Sequence, residues 1–305
     1  MPNPNPNLTL LKTARELTEA HNFSEPGLRE AIPYIKAFSG KQIVLKIGGS
    51  VLNDHSLLPY LIDDVIFMKK IGVNVILVHG GSRQLNKDME EKGLEPEYVD
   101  GLRVTSKEIL DLAAQTFYDI SKKIKDEIED REYKCLIFDR NSGLVKSKLN
   151  NLNLGYVGVP EEVDVEKINT LSSDVIPVVS SVTSGVEADD IGFNVNADNV
   201  AGIISSSINA EKLILMTNVD GVMDNNNSLL SSLTVTEVEE LINNGSISDG
   251  MIPKVRTCLS ALRHGTKKCH IIKGNETSFI SEILTDQGVG TEFVPDESKI
   301  REKAI

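Results

Sequence analysis

The chain has 305 residues, 40% hydrophobic and 25% charged, enough to bury a sizeable core as one large α/β domain or as two lobes. Its net charge of −13 and pI near 4.9 exclude nucleic acid as the main partner, because a phosphate backbone demands a basic face. No apolar run approaches the roughly 20 residues of a membrane span, and the N-terminus lacks the apolar stretch of a signal peptide. Cys135, Cys258 and Cys269 lie far apart with no C-x-x-C, which points to a reducing cytoplasm and no metal site.

Residues 1 to 7 alternate Pro and Asn and predict disorder. Leu8 to Ala20 follows a nearly helical stripe, and a second short helix is predicted over Pro26 to Phe38. The first helix has little of its own to pack on, so it reads as a mobile arm or as part of an oligomer contact. Then comes Ile43-Val-Leu-Lys-Ile-Gly-Gly-Ser50, an apolar strand running straight into two glycines. Such a turn lets backbone amides approach an anion, and Lys46 adds a positive charge beside Gly48 and Gly49. Ordinary turn chemistry with a snorkelling lysine explains the same residues. Neither the P-loop nor the G-x-G-x-x-G spacing is present.

Leu57 to Ile71 predicts a helix, and Val73 to Val78 a second buried strand that breaks into His79-Gly80-Gly81-Ser82. In an open parallel sheet, ligands sit beyond the carboxyl ends of the strands. Two paired-glycine turns on that side favour an anion site over two unrelated turns. Asp100-Gly-Leu-Arg-Val-Thr105 carries Arg103, a residue type that clamps carboxylates, although this segment alone reads as a surface arginine. A long helix over Ser106 to Glu129 leads to strands at Lys134 to Phe138 and Val175 to Val179, with a hairpin or short strands within Gly155 to Val165. Phe193-Asn-Val-Asn-Ala-Asp198 precedes a helix. Asn194 and Asn196 share a strand face by period two, and Asp198 has the position of an N-cap. Lys212 to Met216 is a further buried strand, ending in Thr217-Asn218-Val-Asp220-Gly221. Asp249-Gly-Met-Ile-Pro-Lys-Val255 places Lys254 at the start of a helix that runs to His264. A strand at His270, a helix over Ser278 to Leu284 and a loop at Gly288 close the pattern. Strands and helices alternate throughout, which predicts an α/β sheet with helices on both faces.

Taken together, Lys46-Ile-Gly-Gly-Ser50, His79-Gly-Gly81, Val99-Asp-Gly-Leu-Arg-Val-Thr105, Asn194-Val-Asn-Ala-Asp198, Thr217-Asn-Val-Asp-Gly-Val222 and Gly250-Met-Ile-Pro-Lys-Val255 resemble the amino acid kinase family. The resemblance runs from about Ala31 to Thr291. It implies a three-layer αβα sandwich with a mainly parallel open sheet and two lobes. Residues 1–24 would form an N-terminal arm, 25–208 an N-lobe for acyl-amino-acid binding and dimerisation, and 209–305 a C-lobe for ATP. The branch with these motifs is the one that phosphorylates the γ-carboxylate of N-acetyl-L-glutamate, with ATP and Mg²⁺ carried mainly on the nucleotide, in L-arginine biosynthesis.

By resemblance, Lys46 and Lys254 hold the transferring phosphoryl group and Asp198 orients both. The amides of Gly49 and Gly81 take developing charge, and Gly80, Gly81, Arg103 and Asn194 hold the acylated amino acid. Lys46, Gly48, Gly49, Thr217, Asn218, Asp220 and Lys254 form the nucleotide site. Three departures stand out. Ser82 replaces a third glycine, Phe138-Asp-Arg-Asn-Ser-Gly143 replaces a Ser-Gly-Lys-Asp-Gly type of loop, and Asn218 stands where an aspartate is common. They leave open another N-acyl amino acid as substrate. The Asp100 to Thr105 motif argues against aspartate, carbamate and uridylate kinases. A non-catalytic, arginine-sensing version would not need Lys46, Asp198 and Lys254 together.

Arginine-inhibited members have an extra N-terminal helix that joins dimers into a hexamer, and Leu8 to Ala20 resembles it. His270, Glu282 and Gly288 resemble their arginine site, with one residue fewer between histidine and glutamate. A homodimer or hexamer follows from the resemblance. A nitrogen-signalling protein is a candidate partner, with nothing in this sequence to support it.

Overall fold

The computed structural model describes residues 25–54, 56–187, 191–248, 250–275, 278–285 and 288–297; the helix expected over Leu8 to Ala20 lies outside them. Helix α1 (Glu25–Phe38) buries Ala31, Ile35 and Phe38 at a spacing of three to four, the stripe that lets a helix lie on a sheet. β1 (Gln42–Ile47) has Ile43, Val44 and Leu45 fully buried in succession, because helices cover both faces of its sheet. It is followed by α2 (Gly49–Asn53), α3 (Leu57–Lys70), β2 (Asn74–His79) and α4 (Ser82–Glu91). A two-stranded hairpin, β3 (Tyr98–Val99) and β4 (Leu102–Arg103), leads to α5 (Lys107–Glu129), whose start is capped by the Ser106 hydroxyl accepting from Ile109 N at 3.2 Å.

β5 (Lys134–Phe138) returns to the main sheet. β6 (Val145–Leu149), which the sequence reading did not mark, pairs antiparallel with β7 (Gly158–Val163), the one strand within Gly155 to Val165, and α6 (Val165–Asn169) leads on to β8 (Val175–Ser180). β9 (Val182–Gly185) and β10 (Phe193–Asn194) complete a small second sheet of order β10-β9-β6-β7. Then follow α7 (Ala197–Ser207), β11 (Lys212–Thr217), β12 (Ser232–Thr234), α8 (Val235–Asn243), α9 (Met251–Arg263), β13 (Lys268–Lys273), α10 (Ser278–Leu284) and β14 (Thr291–Val294).

The main sheet has the order β12-β14-β13-β11-β1-β2-β8-β5, and every neighbouring pair is parallel except β13–β14. One core, with Ile62, Phe117 and Phe279, lies on the face covered by α1, α3, α5 and α10. The other, with Val200, Val255 and Phe293, lies under α7 and α9. The chain leaves β1 for β2 on one side, while β11 occupies the other. That reversal opens a crevice at the carboxyl ends of β1 and β11, where open α/β sheets take their ligands.

Candidate active site

Lys46 is the next-to-last residue of β1 and pairs in register with Leu215 of β11, so its side chain emerges at that crevice. The chain then turns through Gly48. A Cβ at Gly48 would run into the Met216 carbonyl of β11, so the turn passes under the end of β11 only without a side chain. Gly49 opens α2, where the first amides of a helix have no intrahelical acceptor. The turn after β2 is built alike. A Cβ at Gly81 would press to 2.6 Å from Ile120 and Phe117 of α5. Both turns open on one cleft of about 480 Å³, with Lys46, Gly80, Arg103, Asn194, Asp198 and Lys254 among its lining residues.

Asp198 lies at the centre of the charge arrangement and is only 4% exposed. It is not the N-cap its position suggests. Asn196 caps α7, its side chain accepting from the Asp198 N–H at 2.8 Å, which leaves the Asp198 carboxylate free for other partners. Lys254, from the first turn of α9, donates to Asp198 Oδ2 at 2.6 Å. Lys46 Nζ stands 2.9 Å from Oδ1, but off the hydrogen-bond axis, so Oδ1 is left without a directed hydrogen bond. Burial alone would push this carboxyl up; the two lysines outweigh it and hold it down at about 2. At neutral pH two ammonium groups therefore flank one anion, and the trio carries a surplus positive charge.

Arg103 is buried, 5% exposed, in contrast to the surface arginine that its segment alone suggests. β4 pairs with β3, bringing Tyr98 opposite Arg103. The guanidinium lies over the Tyr98 ring at 4.8 Å, and its Nη2 donates to Asn86 Oδ1 and Tyr98 Oη, both at 2.5 Å. Burial lowers its pKa, with Tyr98 acting in the opposite sense. Asn194 donates to Thr105 Oγ1 at 3.2 Å, which ties β10 to the segment after β4. Thr217 and Asn218 line the cleft, whereas Asp220 stands just outside it, ion-paired with Lys273 at 3.2 Å.

The departures from the family pattern fall apart spatially. Ser82 begins α4 and its carbonyl accepts from Arg103 Nη2 at 3.4 Å. The Asp139 to Gly143 loop does not line the cleft. It is pinned by Arg140 to Asp111 at 2.9 Å, by Lys167 to the Ser142 carbonyl at 2.8 Å, and by Ser184 to the Arg140 carbonyl at 2.6 Å.

Far from this cleft, His270 and Glu282 meet in a buried chain that includes a residue the sequence reading passed over as a strand end. Lys212 Nζ lies 3.0 Å from His270 Nε2, and His270 Nδ1 lies 2.6 Å from Glu282 Oε1. An ammonium only donates and a carboxylate only accepts, so the ring proton sits on Nδ1. Glu282 Oε2 accepts from the amides of Val289 and Gly290, and Gly288 packs against the same carboxylate. Burial lowers His270 and Lys212, the latter to about 8. Burial would raise Glu282, yet the histidine and the two amides hold it below the usual carboxylate value.

A glycine-walled cleft at the switch point of a parallel sheet, with two lysines sharing one buried aspartate, defines a site for moving an anionic group. Residues 41–273 match the model of the amino acid kinase family, and the chain belongs to that family. Its relatives include the acetylglutamate kinase of Caldanaerobacter subterraneus subsp. tengcongensis, 39% identical over 289 residues, 92% of this chain and 94% of the relative. The acetylglutamate kinase of Nitrosospira multiformis is 40% identical over 277 residues, 87% of this chain and 94% of the relative. Among solved structures, smu.665 from Streptococcus mutans UA159 has a TM-score of 0.71 at 29% identity, over 84% of this chain and 99% of that one. N-acetylglutamate synthase from Neisseria gonorrhoeae reaches a TM-score of 0.81 at 22% identity, covering 90% of this chain and 64% of that longer one, a likeness of fold.

Proposed function

We propose that the protein transfers the γ-phosphoryl group of ATP to the γ-carboxylate of N-acetyl-L-glutamate, giving N-acetyl-L-glutamyl 5-phosphate and ADP, a step of L-arginine biosynthesis. The observation that carries this reading is the Lys46–Asp198–Lys254 trio at the mouth of the β1 and β11 ends. A carboxylate oxygen attacks the γ-phosphorus as the bond to the β-phosphate oxygen breaks, and ADP leaves with the electron pair. Two anions must approach, so the barrier is mainly electrostatic. Lys46 and Lys254 neutralise the transferring group from two sides, and the amides of Gly49 and Gly81 add donors. The acceptor carboxylate is already ionised near pH 7 and needs no general base.

Arg103, with Gly80, Gly81 and Asn194, holds the amino-acid end, and Lys46, Gly48, Gly49, Thr217, Asn218 and Lys254 the nucleotide; Asp220 would act from the rim. The donor set suits a Mg²⁺ riding on the nucleotide phosphates, because Asp198 is already committed to two lysines. The ion would supply charge neutralisation there. Residues 25–208 serve as the lobe for the acceptor and 209–305 as the lobe for the nucleotide, meeting where β1 pairs with β11.

The decisive test is a coupled ADP-release assay with Mg²⁺, run with and without N-acetyl-L-glutamate. Release that depends on the amino acid is expected; folded protein that releases none overturns the reading.

A second reading concerns control. By resemblance, His270, Glu282 and Gly288 would hold L-arginine as an inhibitor of a homohexamer joined through residues 1–24, with Glu282 exchanging its present partners His270, Val289 and Gly290 for the guanidinium. Light scattering and an arginine titration test it. A dimer whose rate stays flat up to millimolar arginine rejects it. Deleting residues 1–22 should leave an active dimer with a weakened response.

A further inference from the structure

His79 is the last residue of β2 and is fully buried, yet nothing in the phosphoryl transfer uses it. Its ring is held at both nitrogens. Nδ1 lies 3.0 Å from the carbonyl of Gly80, and Nε2 lies 2.6 Å from the Ser121 hydroxyl, which α5 brings from 42 residues away. A carbonyl accepts only, so Nδ1 carries the proton, and the neutral ring must then accept from Ser121 at Nε2. Burial keeps the ring neutral, pushing it down to about 4, so the same tautomer persists at neutral pH. The ring is further wedged by Phe117 of α5, edge-on with centroids 6.5 Å apart.

The consequence lies in the next peptide. Its plane carries the Gly80 carbonyl and the Gly81 N–H, and in a trans peptide these point in opposite directions. The described residues contain no cis bond. A carbonyl drawn toward the buried ring therefore turns the Gly81 N–H away from it, toward the cleft that Gly80 and Gly81 line. Among the described residues, that N–H meets no acceptor. Between two glycines the backbone itself sets little barrier to rotation of this peptide. Glycine backbones reach most of φ/ψ space, and a flipped peptide would aim a carbonyl at an incoming anion.

We propose that His79, held in one tautomer by Ser121, is a positioning residue that fixes the Gly80–Gly81 peptide with its N–H facing the reacting anions. This inference rests on the reading of the Gly81 amide as a donor in phosphoryl transfer. Two further substitutions separate the hydrogen bond from mere space-filling. His79→Leu fills the volume without a donor. His79→Asn places an amide N–H near the position of Nδ1.

Crystal structures and kinetics of the wild type, His79→Leu and His79→Asn test the proposal. The peptide is expected to rotate or become mixed in His79→Leu and to keep its orientation in His79→Asn. kcat should fall about tenfold to a hundredfold in His79→Leu, the range set by losing most of one preorganised donor, with KM for ATP within about twofold. His79→Asn should recover most of that loss although both variants melt earlier. An unchanged peptide in His79→Leu, or equal kcat losses in the two variants, overturns the proposal. If His79→Leu does not fold, Ser121→Ala decides. It should lower kcat several-fold and Ser121→Thr should restore it, whereas a wild-type kcat in Ser121→Ala overturns the proposal. Wild-type protein inert toward N-acetyl-L-glutamate would overturn the function reading instead, and the peptide orientation in the variant crystals would still decide this one.

Discussion

The molecule buries two carboxylates among basic groups at opposite ends of its central strands and treats them in opposite ways. Lys212 opens β11 opposite Ile43, while Lys46 sits three residues further along the same β1–β11 register. At the Lys212 end, Glu282 accepts from His270, Val289 and Gly290, and both of its oxygens are engaged. At the Lys46 end, Asp198 is shared by two lysines, and Lys254 remains 21% exposed. A saturated buried charge is a brace. Two ammonium groups sharing one carboxylate at the wall of a cleft have protons left for a third party. Burial is alike at the two ends, so it is the surplus positive charge, with ammonium donors still facing the cleft, that separates the anion site from the saturated chain.

The largest effect that sharpens this contrast is on stability. Glu282→Ala strands His270 and Lys212 in the interior and should cost on the order of 3–5 kcal/mol, read as a lower urea midpoint. A loss below 1 kcal/mol would make the two ends alike. Next come the cleft lysines. Lys46→Ala and Lys254→Ala should each lower kcat at least about a hundredfold, roughly 2.7 kcal/mol of barrier. Asp198→Asn should also slow turnover by releasing both lysines. Near-wild-type turnover in all three would break the comparison.

A third carboxyl provides a control with no base beside it. Asp64 of α3 is buried against α10, where it accepts from the Ile280 amide, and burial pushes it up to about 8. Between its ordinary value and 8 the folded chain holds a proton that the unfolded chain has lost. Its contribution is therefore intact in acid and is lost as pH rises through that window. Asp64→Asn removes this cost, so its stability should exceed wild type by about 4 kcal/mol at pH 7 and by less than about 2 kcal/mol near pH 5. A gain that does not vary with pH would show the carboxyl to be ionised in the fold. The smallest effect is on recognition. Arg103→Lys loses the planar fork held by Asn86 and Tyr98. It should raise KM for N-acetyl-L-glutamate about tenfold, well beyond its effect on KM for ATP. Equal effects would remove Arg103 from the carboxylate.

Much of the fold was legible because its strands are apolar runs and its turns are glycines, signals local to a few residues. The cleft was legible for the same reason, since Gly48, Gly49, Gly80 and Gly81 mark the strand ends that carry it. What stayed hidden were partners set by tertiary contact. Asp198 reads as an N-cap because capping preferences are local, and only the structure shows Asn196 taking that role. Arg103 reads as a surface residue because the tyrosine and asparagine that bury it come from β3 and α4. Lys212 resembles a charged strand terminus, and its partner His270 is 58 residues away. Ser121 sits within a long helix with no local sign that it faces an imidazole.

The single antiparallel pairing of the main sheet bears on how the chain assembles as it is synthesised. β12 finds its strand neighbour only in β14, which is itself held by β13 and supplies Thr291 to cap the Val222 amide at 2.8 Å. Residues 222–234 therefore leave the ribosome well before the strand that receives them. Until Val294 has emerged, that stretch has no ladder to join, and a nascent chain stopped short of it would carry a raw sheet edge at β13. The last of the described strands is the one that closes the sheet, so a truncation before β14 should be felt some sixty residues upstream of the cut.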